Sequence, residues 1–193
     1  GNLWLGGANG LVRLDRSGLI SYANGLKDPY VVTINKTRTG ALYVAGASVT
    51  LSLFDGKNFE TIRPHVAKDA RVVWTSNAAY QDSRGEWWFL TDVGLYRFAA
   101  TDDLQQLTRQ EPIAIYDRHN GFKNDDMFHI FEDSRGDLWI STRSAHVGEF
   151  DLARWSRETE KFQMFSEADG LSAKSASAFA EDKNGELWVG FNA

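Results

Sequence analysis

The sequence predicts an all-β fold: a β-propeller fragment of about four four-stranded antiparallel blades, in an array that does not close on itself. Three observations predict it. A short motif recurs as Asp82-Ser-Arg-Gly-Glu-Trp-Trp88, Asp133-Ser-Arg-Gly-Asp-Leu-Trp139 and Asp182-Lys-Asn-Gly-Glu-Leu-Trp188, with weaker copies at Thr37-Arg-Thr-Gly-Ala-Leu-Tyr43 and Gly1-Asn-Leu-Trp4. Its glycines, Gly1, Gly40, Gly85, Gly136 and Gly185, are 39, 45, 51 and 49 residues apart, a period that suits propeller blades. Seven Trp, six Tyr and twelve Phe stand beside seventeen Gly and three Pro in 193 residues, a composition for short strands and tight turns. Helical solenoids repeat at similar lengths, but they need amphipathic helices that this sequence lacks.

Alternation places four strands in each repeat. An inner strand a precedes the motif, at Val31 to Lys36, Asn77 to Gln81, Met127 to Glu132 and Ser175 to Glu181. Strand b carries the aromatic, at Leu3 to Gly6, Leu42 to Ala45, Trp87 to Leu90, Leu138 to Ser141 and Leu187 to Gly190. Strand c is expected at Leu11 to Asp15, Leu51 to Asp55, Leu95 to Phe98 and Val147 to Asp151. The outer strand d is expected at Leu19 to Tyr22, Phe59 to Ile62, Ile113 to Tyr116 and Phe162 to Phe165. The resulting units are a partial blade at 1–22, blades at 31–62, 77–116 and 127–165, and a partial blade at 175–193. The segments Ala99 to Pro112 and Leu152 to Lys161 read as c-to-d interruptions on the outer edge, where insertion is cheapest.

The turn chemistry assigns the most regular residues. In Asp-x-x-Gly, the carboxylate accepts bonds from backbone amides and the Gly takes the left-handed conformation. Asp82, Gly85, Asp133, Gly136, Asp182 and Gly185 are therefore read as structural turn residues. Trp4, Trp88, Trp139 and Trp188 recur at one place in the repeat and are read as structural core between neighbouring blades. Both chain ends supply a strand b, and the two would compete for one place in a closed ring. The expectation is an excerpt of a longer array, with exposed blade faces that invite self-association and pair with the remaining blades of a parent receptor.

Composition narrows the function classes. Without Cys there are no disulfides, thiolate metal sites or thiol nucleophiles, and the redox compartment is left open. A formal charge of −5 with no basic stripe argues against nucleic acid. The four histidines, His65, His119, His129 and His146, lack metal-ligand spacing, and no cofactor or metal is expected.

The motifs together resemble the two-component regulator propeller repeat. Its pattern is a Gly-Leu dipeptide, an inner strand ending in Asp, then Gly-x-Leu-Trp-x-Gly-Thr and a second Gly-Leu. Here the pieces are Asn24-Gly25-Leu26, Asn120-Gly121-Phe122 and Asp169-Gly170-Leu171, the Trp motifs with Thr91 and Thr142 after them, and Gly10-Leu11 and Gly94-Leu95. The second unit departs with Tyr43 for Trp and Thr37 for Asp, and the last motif ends Gly190-Phe-Asn192. The resemblance implies a periplasmic or extracellular ligand-sensing part of a membrane-anchored receptor, ahead of a histidine kinase or diguanylate cyclase output.

Three functions are then weighed. A non-catalytic sensor would take a small polar ligand such as an oligosaccharide, or relay its binding, using the variable d-to-a and b-to-c loops. Arg71, Trp74, His119, Asn124, Arg143 and His146 are the candidate donors and stacking groups there. A protein-interaction or dimerisation scaffold would instead show a contiguous apolar patch on blade faces or edges. A propeller glycosidase or lyase would need two convergent carboxylates or their equivalent, whereas the recurring ones here lie at turns on the far face. The chain is therefore read as no enzyme.

Overall fold

The computed structural model describes residues 2–22, 25–72, 75, 77–120, 122, 125–142, 152–171 and 176–191. Alternating apolar residues and glycine turns make it all-β, in successive antiparallel sheets whose strands pair in chain order. The first sheet is β1 (Leu3–Gly7), β2 (Gly10–Asp15) and β3 (Gly18–Ser21). The second is β4 (Val31–Lys36), β5 (Leu42–Gly46), β6 (Thr50–Phe54) and β7 (Phe59–Ile62). The third is β8 (Ala79–Gln81), β9 (Trp87–Thr91), β10 (Gly94–Phe98) and β11 (Ala114–Tyr116). The fourth is β12 (Met127–Glu132), β13 (Leu138–Thr142), β14 (Leu152–Ser156) and β15 (Lys161–Phe165), and the last is β16 (Ala176–Glu181) with β17 (Leu187–Phe191). These are propeller blades, and among the described residues no sheet closes on itself.

Two segments differ from expectation. The stretch expected as strand c at Val147 to Asp151 lies outside the described residues. The neighbouring Leu152–Ser156, read as an interruption, is the strand that pairs with β13 and β15, with Trp155 opposite Leu138 and Phe162. Arg154 Nε of this strand donates to Asp137 at 2.8 Å, and Arg157, one residue beyond its end, is buried among acids. The segment Ala99 to Pro112 likewise does more than fill an edge. It carries a 3-10 helix, Leu104–Thr108, started by the Asp103 side chain accepting from the Gln105 amide. Leu104 and Leu107 from this turn are buried in a core shared with Tyr43, Leu51 and Ile62 of the second sheet.

Packing between sheets repeats from junction to junction. The inner strands β4, β12 and β16 lie against β1, β9 and β13, strand b of the preceding sheet in each case. A Cβ at Gly6 would stand 2.6 Å from Val31 Cγ1, so only glycine permits that approach. Polar bonds cross the same junctions: the Ala78 amide donates to Thr33 Oγ1 at 2.7 Å, and the Ser141 hydroxyl to the Ala176 carbonyl at 2.7 Å.

Candidate functional site

An antiparallel a-b-c-d sheet puts the a-b and c-d turns on one face of the propeller and the b-c and d-a loops on the other. The turn face is saturated with internal bonds. Asp82 Oδ1 accepts from the Arg84 and Glu86 amides, at 3.0 and 2.9 Å, and its Oδ2 from Trp88 Nε1 at 3.0 Å. Asp133 repeats the set with Arg135, Asp137 and Trp139. Asp182 repeats it with the Asn184 and Glu186 amides, which hold its carboxyl below the usual range, with Trp188 adding to the effect. Gly85, Gly136 and Gly185 have φ of 88°, 83° and 80°, the left-handed backbone that this turn requires.

The residue before each turn aspartate forms a clamp that sequence reasoning missed. The Ser83 amide and hydroxyl donate to Glu132 of the next sheet at 2.9 and 2.6 Å, and those of Ser134 donate to Glu181 at 2.7 and 2.6 Å. At the junction before them, the Arg38 amide donates to Gln81 Oε1 at 2.9 Å. The signal was available, since Gln81, Glu132 and Glu181 all precede their turns by one residue.

The third and fourth sheets add a buried ionic and aromatic junction. Arg157 donates to Asp82 Oδ2 at 2.6 Å and Glu86 Oε2 at 2.8 Å, while Arg97 binds Glu86 and Glu160. The Trp88 and Trp155 rings meet edge to face at 5.1 Å, with the Arg97 and Arg157 guanidiniums 4.5 and 4.7 Å from the Trp155 ring centroid. Trp88 is wholly buried, and Trp4 packs against Phe54 and Phe59 of the second sheet. Trp139 stacks on Phe165 of its own sheet. Trp188, expected in the core with the other three, is 65% exposed, because no described sheet covers its face.

On the loop face the described backbone is tied together rather than open. Asp28 accepts from the Tyr30 and Ser48 amides, bridging the loop before β4 to the β5-β6 turn. Arg63 points into its own loop and donates to the carbonyls of Ser48 and Ala67 at 3.2 and 2.9 Å. Arg71 is exposed beside the β9-β10 turn, where its amide and carbonyl exchange bonds with Asp92 and its guanidinium donates to Ala70 O at 2.9 Å. His119 stands on the loop after β11, its Nδ1 3.2 Å from Asp117 and its ring largely exposed. Trp74, Asn124, Arg143 and His146 lie outside the described residues, so only two of the six candidates have a described position. Asp28, Arg63 and Asp92, which shape the loops, were not singled out, although short polar residues beside Gly and Pro are the usual agents of loop closure.

The chemistry available follows from these placements. The turn carboxylates are spent on amides, indoles and guanidiniums, and among the described residues no cluster of His, Asp and Glu is arranged to hold a metal. His129 stacks on Phe179 at 5.3 Å, and burial lowers its pKa. A hollow of about 270 Å³ is lined by Arg154, Ser156, Lys161 and Gln163 of the fourth sheet, away from the loop face.

The sheets and their Asp-turn junctions define the class, a β-propeller repeat array. The two-component regulator propeller model matches residues 121–144 and 170–193, so these two segments are similar to that repeat. A structure of the extracellular domain of BT4673 from B. thetaiotaomicron, assigned to a one-component system, is 22% identical, with a TM-score of 0.72 over 99% of this chain and 27% of that one. A second structure of that domain, assigned to a hybrid two-component system, is 21% identical, with the same TM-score and coverage. The extracellular domain of BT3049 from the same organism, also assigned to a hybrid two-component system, is 18% identical, with a TM-score of 0.69 over 98% of this chain and 25% of that one. At these identities the likeness speaks for the fold, and this chain spans about a quarter of each solved domain. No curated protein matches the chain. Among the described residues no helix is long and apolar enough to cross a membrane.

Proposed function

We propose that the chain is part of the non-catalytic, extracytoplasmic sensor propeller of a bacterial signalling receptor, periplasmic or extracellular and anchored to a membrane through other parts of that receptor. The observation that carries this reading is the pair of regulator-propeller repeats, set in a fold similar to extracellular domains assigned to signalling systems. The absence of catalysis is supported by the turn aspartates, whose oxygens bind amides and indoles on the face opposite the variable loops. Glycoside cleavage needs two carboxyl groups facing each other across a substrate. The ligand is a small polar molecule such as an oligosaccharide, met on the loop face by Arg71 and His119, with Trp74, Asn124, Arg143 and His146 as the further candidates from the sequence.

The test is a thermal-shift screen against neutral and acidic oligosaccharides. A ligand of the folded state adds about 2.7 kcal/mol at a hundredfold excess over its dissociation constant, so the midpoint rises with concentration. Arg71→Ala, Arg143→Ala or Trp74→Ala should remove the shift; if no sugar shifts the midpoint, this chain holds no complete oligosaccharide site and the site lies elsewhere in the parent receptor.

A further inference from the structure

The connection between β7 and β8 departs from the pattern of the repeat. It runs over residues 63–78, against 22–30 and 117–126 for its neighbours, and carries Arg63-Pro-His-Val66 where those carry Asn24-Gly25-Leu26 and Asn120-Gly121-Phe122. It lies within the array, with the first and second sheets before it and the third and fourth after it.

This loop folds around two guanidiniums. Arg63 Nη2 donates to the carbonyls of Ala67, Lys68 and Ala70 at 2.9, 3.3 and 3.4 Å, and its Nε to Ser48 O at 3.2 Å. Arg71 Nη1 donates to two of the same oxygens, Lys68 O at 3.3 Å and Ala70 O at 2.9 Å. The shared acceptors hold two like charges side by side. Carbonyl oxygens satisfy N–H donors but bring no formal charge. Among the described residues no carboxylate lies within ion-pair distance of either guanidinium, whereas Arg97, Arg118, Arg154 and Arg157 all rest on acids. Asp92 turns its carboxylate to the Arg71 amide instead, at 2.8 Å, and the exposed Lys68 adds a third cation to the loop. Adjacent cations repel, and an anion bound at the pair relieves that repulsion.

The geometry also leaves a place for one. The Nε–Nη2 edge of Arg71 makes no hydrogen bond to the described residues, and Arg71 is exposed. The two parallel N–H groups of such an edge fit two oxygens of a single oxyanion. The backbone beneath is fixed, since the Arg71 amide and carbonyl exchange bonds with Asp92 and the Val72 amide donates to Ala47 O at 2.9 Å. A fork held this way gives up little freedom on binding.

We propose that Arg71, backed by Arg63, is an anion-binding site that takes a carboxylate or sulfate group carried by an acidic oligosaccharide. The inference rests on the sensor reading for the sugar and adds the charge that the ligand brings. Arg71 binds the oxyanion through its Nε–Nη2 edge. Arg63 is a positioning residue: it supplies the second positive charge and holds the carbonyls that orient Arg71.

Arginine Nε–H resonances and calorimetry of the whole chain test it. Sodium sulfate, compared with sodium chloride at the same ionic strength, should move the Arg71 resonance to saturation and leave that of the ion-paired Arg97 in place. A galacturonate tetrasaccharide should bind about tenfold or more tightly than the same sugar with its carboxyls reduced to alcohols. Arg71→Gln should abolish that difference, and added salt should shrink it. Arg63→Gln should weaken binding about tenfold and Arg63→Lys less, because the charge is kept; circular dichroism verifies that each variant folds. An Arg71 resonance that ignores sulfate, equal affinity for the acid and reduced sugars, or Arg71→Gln binding the acid sugar like the wild type would overturn the proposal. Sulfate binding without binding of the acid sugar would assign the site to a free inorganic anion and overturn the saccharide source. A reduced sugar that raises the melting point equally in the wild type and in Arg71→Gln would overturn the inference while leaving the sensor reading standing.

Discussion

Trp88 and Trp188 hold the same place in their repeats and live in opposite surroundings. Trp88 is sealed between the third and fourth sheets, its indole NH on Asp82 and its ring against Trp155. Trp188 has the equivalent aspartate within reach but is 65% exposed. The motif therefore builds its own turn wherever it occurs, while the tertiary junction requires a neighbour that supplies an aromatic and a cation. At the third and fourth sheets Trp155 and Arg157 are that supply. The desolvation of Asp82, Glu86 and Glu132 is tolerable only because the guanidinium lies among them.

The comparison can be broken most strongly at Arg157. Arg157→Ala leaves a buried acidic group without its cation and should cost about 3–5 kcal/mol in chemical denaturation. Leu107→Ala should cost about 2–5 kcal/mol by the same measurement, because the 3-10 turn that carries it fills the core between the second and third sheets. A cost near zero would mean that this turn is an ornament on the edge.

A smaller effect should appear in acid. Burial alone would raise the pKa of Asp137, but the Arg157 amide and the Arg154 guanidinium outweigh it and hold the carboxyl below its ordinary value. A depressed folded pKa gives stability that is present above the unfolded pKa of about 3.9 and lost as pH falls through the folded one. Asp137→Asn should therefore flatten the stability curve below that pH, as read from urea midpoints. His129, packed on Phe179 where the fourth sheet meets the last, titrates higher: burial lowers its pKa, so the unfolded chain protonates first as pH drops below about 6.5. Stability should decline there until the folded pKa is reached, and His129→Phe should remove the decline. The smallest change is expected for Trp188→Ala, within about 0.5 kcal/mol under dilute, monomeric conditions, as for other exposed sites. A cost of several kcal/mol would mean that its face is already covered.

The legible part of the fold was the part with local causes. Asp-x-x-Gly turns need only neighbours in sequence, so the roles of Asp82, Asp133 and Asp182 follow from the motif alone. The Ser83–Glu132 and Ser134–Glu181 clamps on the same face went unread because their partners lie 49 and 47 residues apart. Leu152–Ser156, read as an interruption after a strand c at Val147 to Asp151, is itself a strand, and the partners that hold it and Arg157 in place, Asp137, Asp82 and Glu86, come from other parts of the chain. Of the candidate ligand residues, Arg71 and His119 were placed on the correct loops, yet Arg71 shares its guanidinium with its own loop carbonyls, a closure that spacing does not encode.

The sequence by itself determined the repeat, its period, the hairpin turns and the propeller class, because two-residue periodicity and glycine-dependent turns are set within a few residues. Only the tertiary structure decided which tryptophans are core and which arginines are buried, because burial depends on what the next sheet brings and not on the motif that meets it.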